Sequence, residues 1–231
     1  AGAQHISFGD PDFFNGPTHA IKLAQALHAK FPEITFDATI KVQHLIEHAG
    51  LLPELKRCAC LFITSAVEAV DDIILQHLAK HHSSHDFDRA AKLLQQAGIG
   101  FAPTFVAFTP WTTLAGYRDL LQRLLDLGLV ENVPPIQLCI RLLIPEGSYL
   151  LQLPAPVLRE LIEGFDAATL GYPWQHRDAR VDQLQQQAQN YAAQAEAQGL
   201  SRRDIFAHIW HLTHAALEQP APILPASGFS A

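Results

Sequence analysis

Residues 34–64, ITFDATIKVQHLIEHAGLLPELKRCACLFIT, contain the pattern that decides the fold of this chain. Residues 34–40 and 59–64 are apolar-rich runs that predict strands, while residues 42–49 carry apolar side chains at spacings of three and four. A helix between two such strands indicates a parallel pair joined by a helical crossover.

The same alternation extends over residues 1–152. Further strands are predicted at 4–9, 99–107 and 136–144, and further helices at 18–31, 71–79, 86–97 and 112–127. Largely apolar strands are expected in a sheet that is covered on both faces or closed into a barrel. We therefore expect an α/β fold, either a (βα) TIM-like barrel or part of one, with a doubly wound open sheet as the alternative. In both folds the site lies at the carboxyl ends of the strands.

Residues 153–231 have a different, helical character. Helices are predicted at 155–165, 179–198 and 202–217, followed by a loose, proline-containing tail at 219–231. The expected organisation is a barrel-like domain at 1–152 and a helical C-terminal region at 153–231.

Composition limits the classes of function. The chain has 231 residues, is 48% hydrophobic and carries a net charge of −7, which favours a soluble globular protein and argues against broad nucleic-acid binding. No apolar run reaches the roughly 18 residues of a membrane helix. Three cysteines are too few for a disulfide framework and favour a reducing cytoplasm. The absence of methionine before Ala1 fits either removal of an initiator methionine or a missing upstream part.

Polar residues follow or occupy several predicted strands. They are Gly9, Asp10 and Asp12 after the first strand, Ser65 and Glu68 after the third, Thr109, Trp111 and Thr112 after the fourth, and Gln137 and Arg141 in the fifth. A site at the strand ends that is lined by acids, hydroxyls, an arginine and aromatic rings suits a polar small molecule.

Structural roles compete with this interpretation. Asp10 and Asp12 are also typical of turns, and Glu68 is typical of the first turn of a helix, where acids are favourable. Arg141 lies within an apolar run, so it needs a partner wherever it is placed.

Two groups of histidines and one pair of cysteines raise the question of a metal site. His81, His82 and His85 form one group, His208, His211 and His214 the other, and Cys58 lies near Cys60. None of these spacings matches a known zinc pattern, and the second histidine group spreads around its helix. We expect surface histidines and no metal site.

Residues 1–152 resemble the catalytic barrel of radical S-adenosylmethionine (SAM) proteins in the order of five motifs, which are FGDPDFFNGP, FDATIKVQHL, TSAVEAVDDIILQHLAKHHSSHDF, GIGFAPTFVAFTPWTT and IQLCIRLLIPEGSYLL. The similarity is closest to the branch with a cobalamin-binding type of domain ahead of the barrel. Within that branch the chain resembles bacterial proteins that end in a Cys-Cys-Ala-Glu-Pro or selenocysteine tail. The resemblance implies a partial barrel in which a 4Fe-4S cluster reduces SAM to a 5′-deoxyadenosyl radical.

The resemblance also implies cofactor-binding residues. The FGDPDFF motif would place Gly9, Asp10 and Asp12 near the methionine amino group of SAM. The SAVEA motif would place Ser65 and Glu68 near the ribose and the methionyl end.

Three further positions follow from the same alignment. Lys80 would face a carboxylate, and Gln137 and Arg141 would lie on the adenine and substrate side. The catalytic residues and the substrate stay unassigned, and cobalamin would belong to an upstream domain.

One departure from the family pattern is decisive for activity. The family holds its cluster with a CxxxCxxC motif after the first strand, whereas this chain has no such motif and its first strand corresponds to the second family strand. Its last residues, PILPASGFSA, also lack the family tail. We expect either a fragment without its N-terminal part or a degenerate homologue, in both cases unable to form the cluster or the radical.

Three functions remain open at this point. The first is the catalytic-barrel portion of a radical SAM enzyme, and the second is a non-catalytic binding domain. The third is an ordinary (βα)-barrel lyase or hydrolase that uses Asp10, Glu68 and Arg141.

Overall fold

The computed structural model describes residues 2–154 and 157–225. The chain divides into two compact units. The first unit consists of the residues up to Val67 together with His81–Thr104, and the second of Glu68–Lys80 and the residues from Phe105 onward. These units are defined by how compactly their residues pack together. The predicted domain boundary between residues 152 and 153 stays a prediction.

A four-stranded sheet forms from β1 (His5–Ser7), β2 (Thr35–Thr39), β3 (Cys60–Glu68) and β4 (Gly100–Phe105). The strands lie in the order β1-β2-β3-β4, and β1 pairs in parallel with β2, as does β2 with β3. Four of the five predicted strands are thereby confirmed. The order shows no reversal among the described strands, whereas a reversal defines the doubly wound sheet.

Helices of at least six residues in the described part of the chain are α1 (Pro17–Lys30), α2 (Val42–Glu47), α3 (Leu52–Arg57), α4 (Asp72–His77), α5 (Ser84–Ala97), α6 (Leu114–Asp126), α7 (Ala179–Ala197) and α8 (Arg202–Ala216). Most match the predicted helices to within a few residues. Helix α3 was not predicted. A capping box starts α5, in which Ser83 and Asp86 satisfy each other's backbone N–H groups.

The two faces of the sheet differ in the first unit. Phe36, Ala38 and Ile63 are fully buried on one face, which is the apolar side. Asp37 and Thr39 alternate with them along β2 and stay partly exposed on the other face. The expectation of largely apolar strands covered on both faces is therefore wrong for β2, which alternates strictly between apolar and polar residues.

The second unit contains the two long C-terminal helices. Helices α7 and α8 pack against each other, and α8 also packs on α6. Buried side chains such as Tyr117 and Trp210 form part of the core of this unit. The helical prediction for the C-terminal region is correct for these two elements.

The strand predicted at 136–144 is wrong. Residues Pro135–Leu138 form a short 3-10 helix, and Arg141 makes only an isolated parallel bridge to Phe108. Pro134 and Pro135 explain the difference, because proline fixes φ near the helical value and supplies no N–H for a strand ladder.

Two further predictions concern the C-terminal region. A helix was expected at 155–165, of which 155–156 lie outside the described residues, and residues 157–165 contain no helix. The loose tail predicted at 219–231 is described only up to Pro225, and residues 219–225 form neither helix nor strand.

Candidate functional site

The loop after β1 contains a buried carboxylate. Asp12 is 4% exposed, and its Oδ2 lies 2.8 Å from Nδ1 of His44 and 3.3 Å from Nζ of Lys41. The backbone N–H of Lys41 also donates to Asp12 Oδ1 at 3.3 Å. Phe13 and Phe14 follow Asp12 and are buried, so the loop is anchored directly after the carboxylate. Asp12 therefore lies against two basic side chains, although its Oδ2 and His44 Nδ1 do not have the geometry of a hydrogen bond.

The two residues before this carboxylate are more accessible. Gly9 and Asp10 are both exposed, and no atom lies within 4 Å of a Cβ placed on Gly9. Asp10 Oδ1 accepts the backbone N–H of Asp12 at 2.8 Å, as the turn interpretation expects. Its second carboxylate oxygen, Oδ2, has no partner among residues 2–154 and 157–225.

Ser65 lies within β3, on the apolar face of the sheet. It is fully buried, and its Oγ has no hydrogen-bond partner among the described residues. A buried hydroxyl without a partner is costly. The structure thus puts Ser65 among core side chains.

Glu68 is the last residue of β3, and in the second unit it pairs with Lys80. Its Oε1 lies 2.8 Å from Lys80 Nζ, with 19% of the Glu68 side chain and 32% of the Lys80 side chain exposed. The backbone of Glu68 has φ of +67°, in the left-handed region that is unfavourable for any residue with a Cβ. Such strain is concentrated at functional sites in proteins.

Gln137 and Arg141 both have partners within the second unit. Gln137 Oε1 accepts the backbone N–H of Phe105 at 3.1 Å. The guanidinium of Arg141 lies 3.4 Å from the centre of the Trp174 ring and donates to Asp182 Oδ1 at 2.6 Å. It also donates to the Trp174 carbonyl at 2.5 Å. The partner required by this arginine is present, in residues that the sequence analysis did not single out.

The three cysteines do not fit an iron–sulfur cluster. All are buried, and burial raises the pKa of Cys60 and that of Cys139 to about 12. Cluster ligation requires thiolates, which such pKa values disfavour. Among the described residues no group of three histidine, cysteine or acidic side chains could hold a metal ion.

The histidines differ partly from the surface residues that we expected. His214 is buried and its Nδ1 lies 2.9 Å from the Trp210 carbonyl, whereas His208 stacks on Tyr191 at 3.6 Å. Burial also lowers the pKa of His208. These two histidines therefore serve packing. Within the described ranges there is also no helix with the length and apolar character needed to span a bilayer.

Sequence reasoning missed Lys41 and His44. A signal was available, because Lys41 directly follows the predicted strand at 34–40 and His44 comes one turn later. The rule that strand ends carry the site applies equally to β2.

The fold is similar to that of OxsB, a cobalamin-dependent radical SAM enzyme. The enzyme OxsB, with aqua-cobalamin and SAM bound, matches 93% of this chain with a TM-score of 0.70 and 13% identity. OxsB with aqua-cobalamin alone matches the same share with a TM-score of 0.68, also at 13% identity. The sequence itself matches no family model and no curated relative.

The extent of the match is unequal for the two proteins. The chain spans 39% of the length of OxsB. At this identity the similarity establishes a shared α/β fold, in agreement with the four-stranded sheet and its helices.

Proposed function

We propose that this chain is the catalytic-barrel portion of a radical SAM enzyme and that it binds SAM at the carboxyl ends of its strands. The observation that carries the proposal is the shared fold with OxsB over 93% of the chain. The strand order without reversal supports a segment of a (βα) barrel.

The ion pair at the end of β3 is the proposed point of contact with the methionyl group of SAM. That group carries an ammonium and a carboxylate, and Glu68 and Lys80 offer one charge of each sign while remaining partly exposed. Gly9 and Asp10, in the loop after β1 of the first unit, stay predictions from the family resemblance. The other predicted SAM-binding residues are buried or already paired with protein groups. We propose that they stabilise the neighbouring loops and strands and do not contact SAM directly; these residues are Asp12, Ser65, Gln137 and Arg141.

Calorimetric titration of SAM into the chain tests the proposal. Glu68→Gln and Lys80→Met are expected to weaken SAM binding about tenfold each, as loss of a charge-assisted contact does. Glu160→Gln is the matched control, since Glu160 pairs with Arg177 on an exposed surface. Equal affinity in all variants, or no binding of SAM to the unaltered chain, would contradict the proposal.

A second candidate is a domain that binds SAM without generating a radical. The buried, high-pKa cysteines favour it, because the described residues provide no cluster ligands. A 4Fe-4S cluster would supply the electron that cleaves SAM, and the described residues offer it no ligand set. Anaerobic reconstitution with iron and sulfide is expected to give no four-iron absorption or paramagnetic signature. A stable signature would exclude the non-catalytic candidate.

A further inference from the structure

In the first unit, the face of the sheet opposite Phe36 and Ala38 carries a group of mainly polar side chains, most of them partly exposed. We call it the polar face, and it consists of His5, Ser7, Thr35, Asp37, Thr39, Phe62 and Thr64, which occupy neighbouring register positions. Parallel sheets are ordinarily apolar on both faces, so polar residues in the middle of adjacent parallel strands need an explanation.

Asp37 is held rigidly in the centre of this face. Ser7 Oγ donates to Asp37 Oδ1 at 2.6 Å, and Nε2 of His5 lies 2.8 Å from the same oxygen. The other ring nitrogen of His5 lies 2.8 Å from Thr35 Oγ1, so the imidazole is fixed at both ends. Asp37 Oδ2 has no partner among the described residues, which leaves one carboxylate oxygen of a positioned side chain for an external donor.

Two hydroxyl groups lie next to one another on the same face. Thr39 pairs in register with Thr64, and neither hydroxyl has a partner in the described part of the chain. Phe62 pairs in register with Asp37 and stacks with the His5 ring at 6.1 Å. Adjacent strands and alternate residues are separated by about 5 Å and about 7 Å, so these four side chains form a patch about as large as one sugar ring.

The chemistry of these groups selects the ligand. Strands β1–β4 contain no lysine or arginine, so the strand side chains of the polar face offer no ammonium or guanidinium group to a phosphate or carboxylate. A carboxylate oxygen accepts hydrogen bonds, a threonine hydroxyl both donates and accepts, and the face of an aromatic ring attracts C–H groups. An uncharged ring that bears several hydroxyls matches all three requirements.

We propose that the polar face binds a sugar ring of the substrate, with Asp37, Thr39 and Thr64 contacting its hydroxyls and Phe62 packing against its C–H face. The assignment to a substrate rests on the proposed function. The binding itself does not, because none of these residues belongs to the proposed SAM contacts.

Saturation-transfer NMR with two probes tests this inference directly on the chain. Methyl β-D-ribofuranoside and methyl β-D-glucopyranoside are the probes, and tetrahydropyran, which lacks hydroxyls, is the control compound. At least one sugar is expected to bind in the millimolar range, and tetrahydropyran is not. Asp37→Asn is expected to weaken binding about tenfold, and Thr39→Val and Thr64→Val several-fold each.

Two controls keep the result specific. Thr18→Val makes the same substitution at an exposed threonine of α1 and is expected to leave sugar affinity unchanged. Valine is favourable in strands, so Thr39→Val and Thr64→Val are expected to remain folded. Circular dichroism and thermal unfolding verify this. Absence of saturation transfer to both sugars, or equal weakening by Thr18→Val, would overturn the inference.

Competition with SAM separates the sugar site from the SAM site. Saturating SAM is expected to leave sugar binding intact, and Thr39→Val is expected to leave SAM affinity unchanged. Displacement of the sugar by SAM would assign the polar face to the ribose of SAM and overturn the substrate assignment. Sugar binding without SAM binding would instead contradict only the proposed function.

Discussion

The carboxylate of Asp12 lies 2.8 Å from the imidazole of His44 and thereby joins the loop after β1 to the helix after β2. Lys41, at the start of the same helix, completes the contact. A single buried side chain thus fixes two of the strand-end segments within the first unit.

Removing this carboxylate is expected to destabilise the protein. We expect Asp12→Ala to lower the free energy of unfolding by about 1–3 kcal/mol, because the Lys41 backbone N–H would lose its acceptor and the His44 and Lys41 side chains would lose the carboxylate that they face. The loss stays below that of a fully buried ion pair, since 59% of the Lys41 side chain is exposed and can be hydrated. Urea unfolding measures the change. Asp119→Ala, at an exposed ion pair, is the control, and an equal loss there would contradict the prediction.

The capping box of α5 makes stability depend on pH. The backbone N–H of Ser83 lowers the pKa of Asp86, and the Ser83 hydroxyl adds to this effect. Because the folded pKa lies below the unfolded one, the stabilisation is complete above the unfolded value of about 3.9 and is lost as pH falls through the folded value.

Ser83→Ala is therefore expected to cost about 1 kcal/mol near neutral pH and less in acid. Urea unfolding of both proteins from neutral pH down to about pH 3 checks the difference. Gln95→Ala, on the exposed side of the same helix, is expected to show no such pH dependence. A cost for Ser83→Ala that stays constant into acid would contradict the role of Asp86.

Ala59 has φ of +68° directly before β3. This conformation is unfavourable for alanine, because it brings the Cβ too close to the following carbonyl oxygen. Ala59→Gly is expected to raise the free energy of unfolding by about 0.5–1 kcal/mol, after the greater entropy of glycine in the unfolded chain is subtracted. Thermal unfolding measures the gain. Ala193→Gly, at an exposed position inside α7, is expected to lower the free energy of unfolding. Destabilisation by both changes would refute backbone strain at Ala59.

Arg141 is the anchor of a three-residue contact with Trp174 and Asp182 in the second unit. Arg141→Lys retains the charge but loses the planar stack and one of the directed hydrogen bonds, so a loss of about 1–3 kcal/mol is expected. Urea unfolding, followed by the emission of the three tryptophans of the chain, measures the loss. Arg118→Lys, at a surface pair with Asp119, is expected to change stability little, and equal effects would count against the special geometry of Arg141.

The agreement between sequence and structure is best where the pattern is long. Helices α7 and α8 show helical periodicity or propensity over fifteen or more residues, and both were predicted to within two residues. The apolar run at 136–144 was misassigned because a short apolar segment has no periodicity that separates a strand from other buried backbone. The two prolines before it provided the contrary signal.

The candidate site was predictable only in part. The ends of β1 and β3 directed attention to Asp12 and Glu68, and both form ion pairs. Lys80, the partner of Glu68, was named through the family resemblance, and the strand-end rule could have found Lys41 and His44 beside Asp12. Asp182 is 41 residues from Arg141, and no local pattern identifies a pairing that depends on the packed structure in this way.

The short strand β1 is held to β2 by side chains as well as by backbone. It has three residues, and three side-chain contacts join His5 and Ser7 to Thr35 and Asp37. Local unfolding of this edge strand would therefore also release the carboxylate at the centre of the polar face. A ligand that needs a fixed Asp37 would bind only the form in which β1 is paired with β2. Its binding would therefore slow hydrogen exchange of the amides in β1.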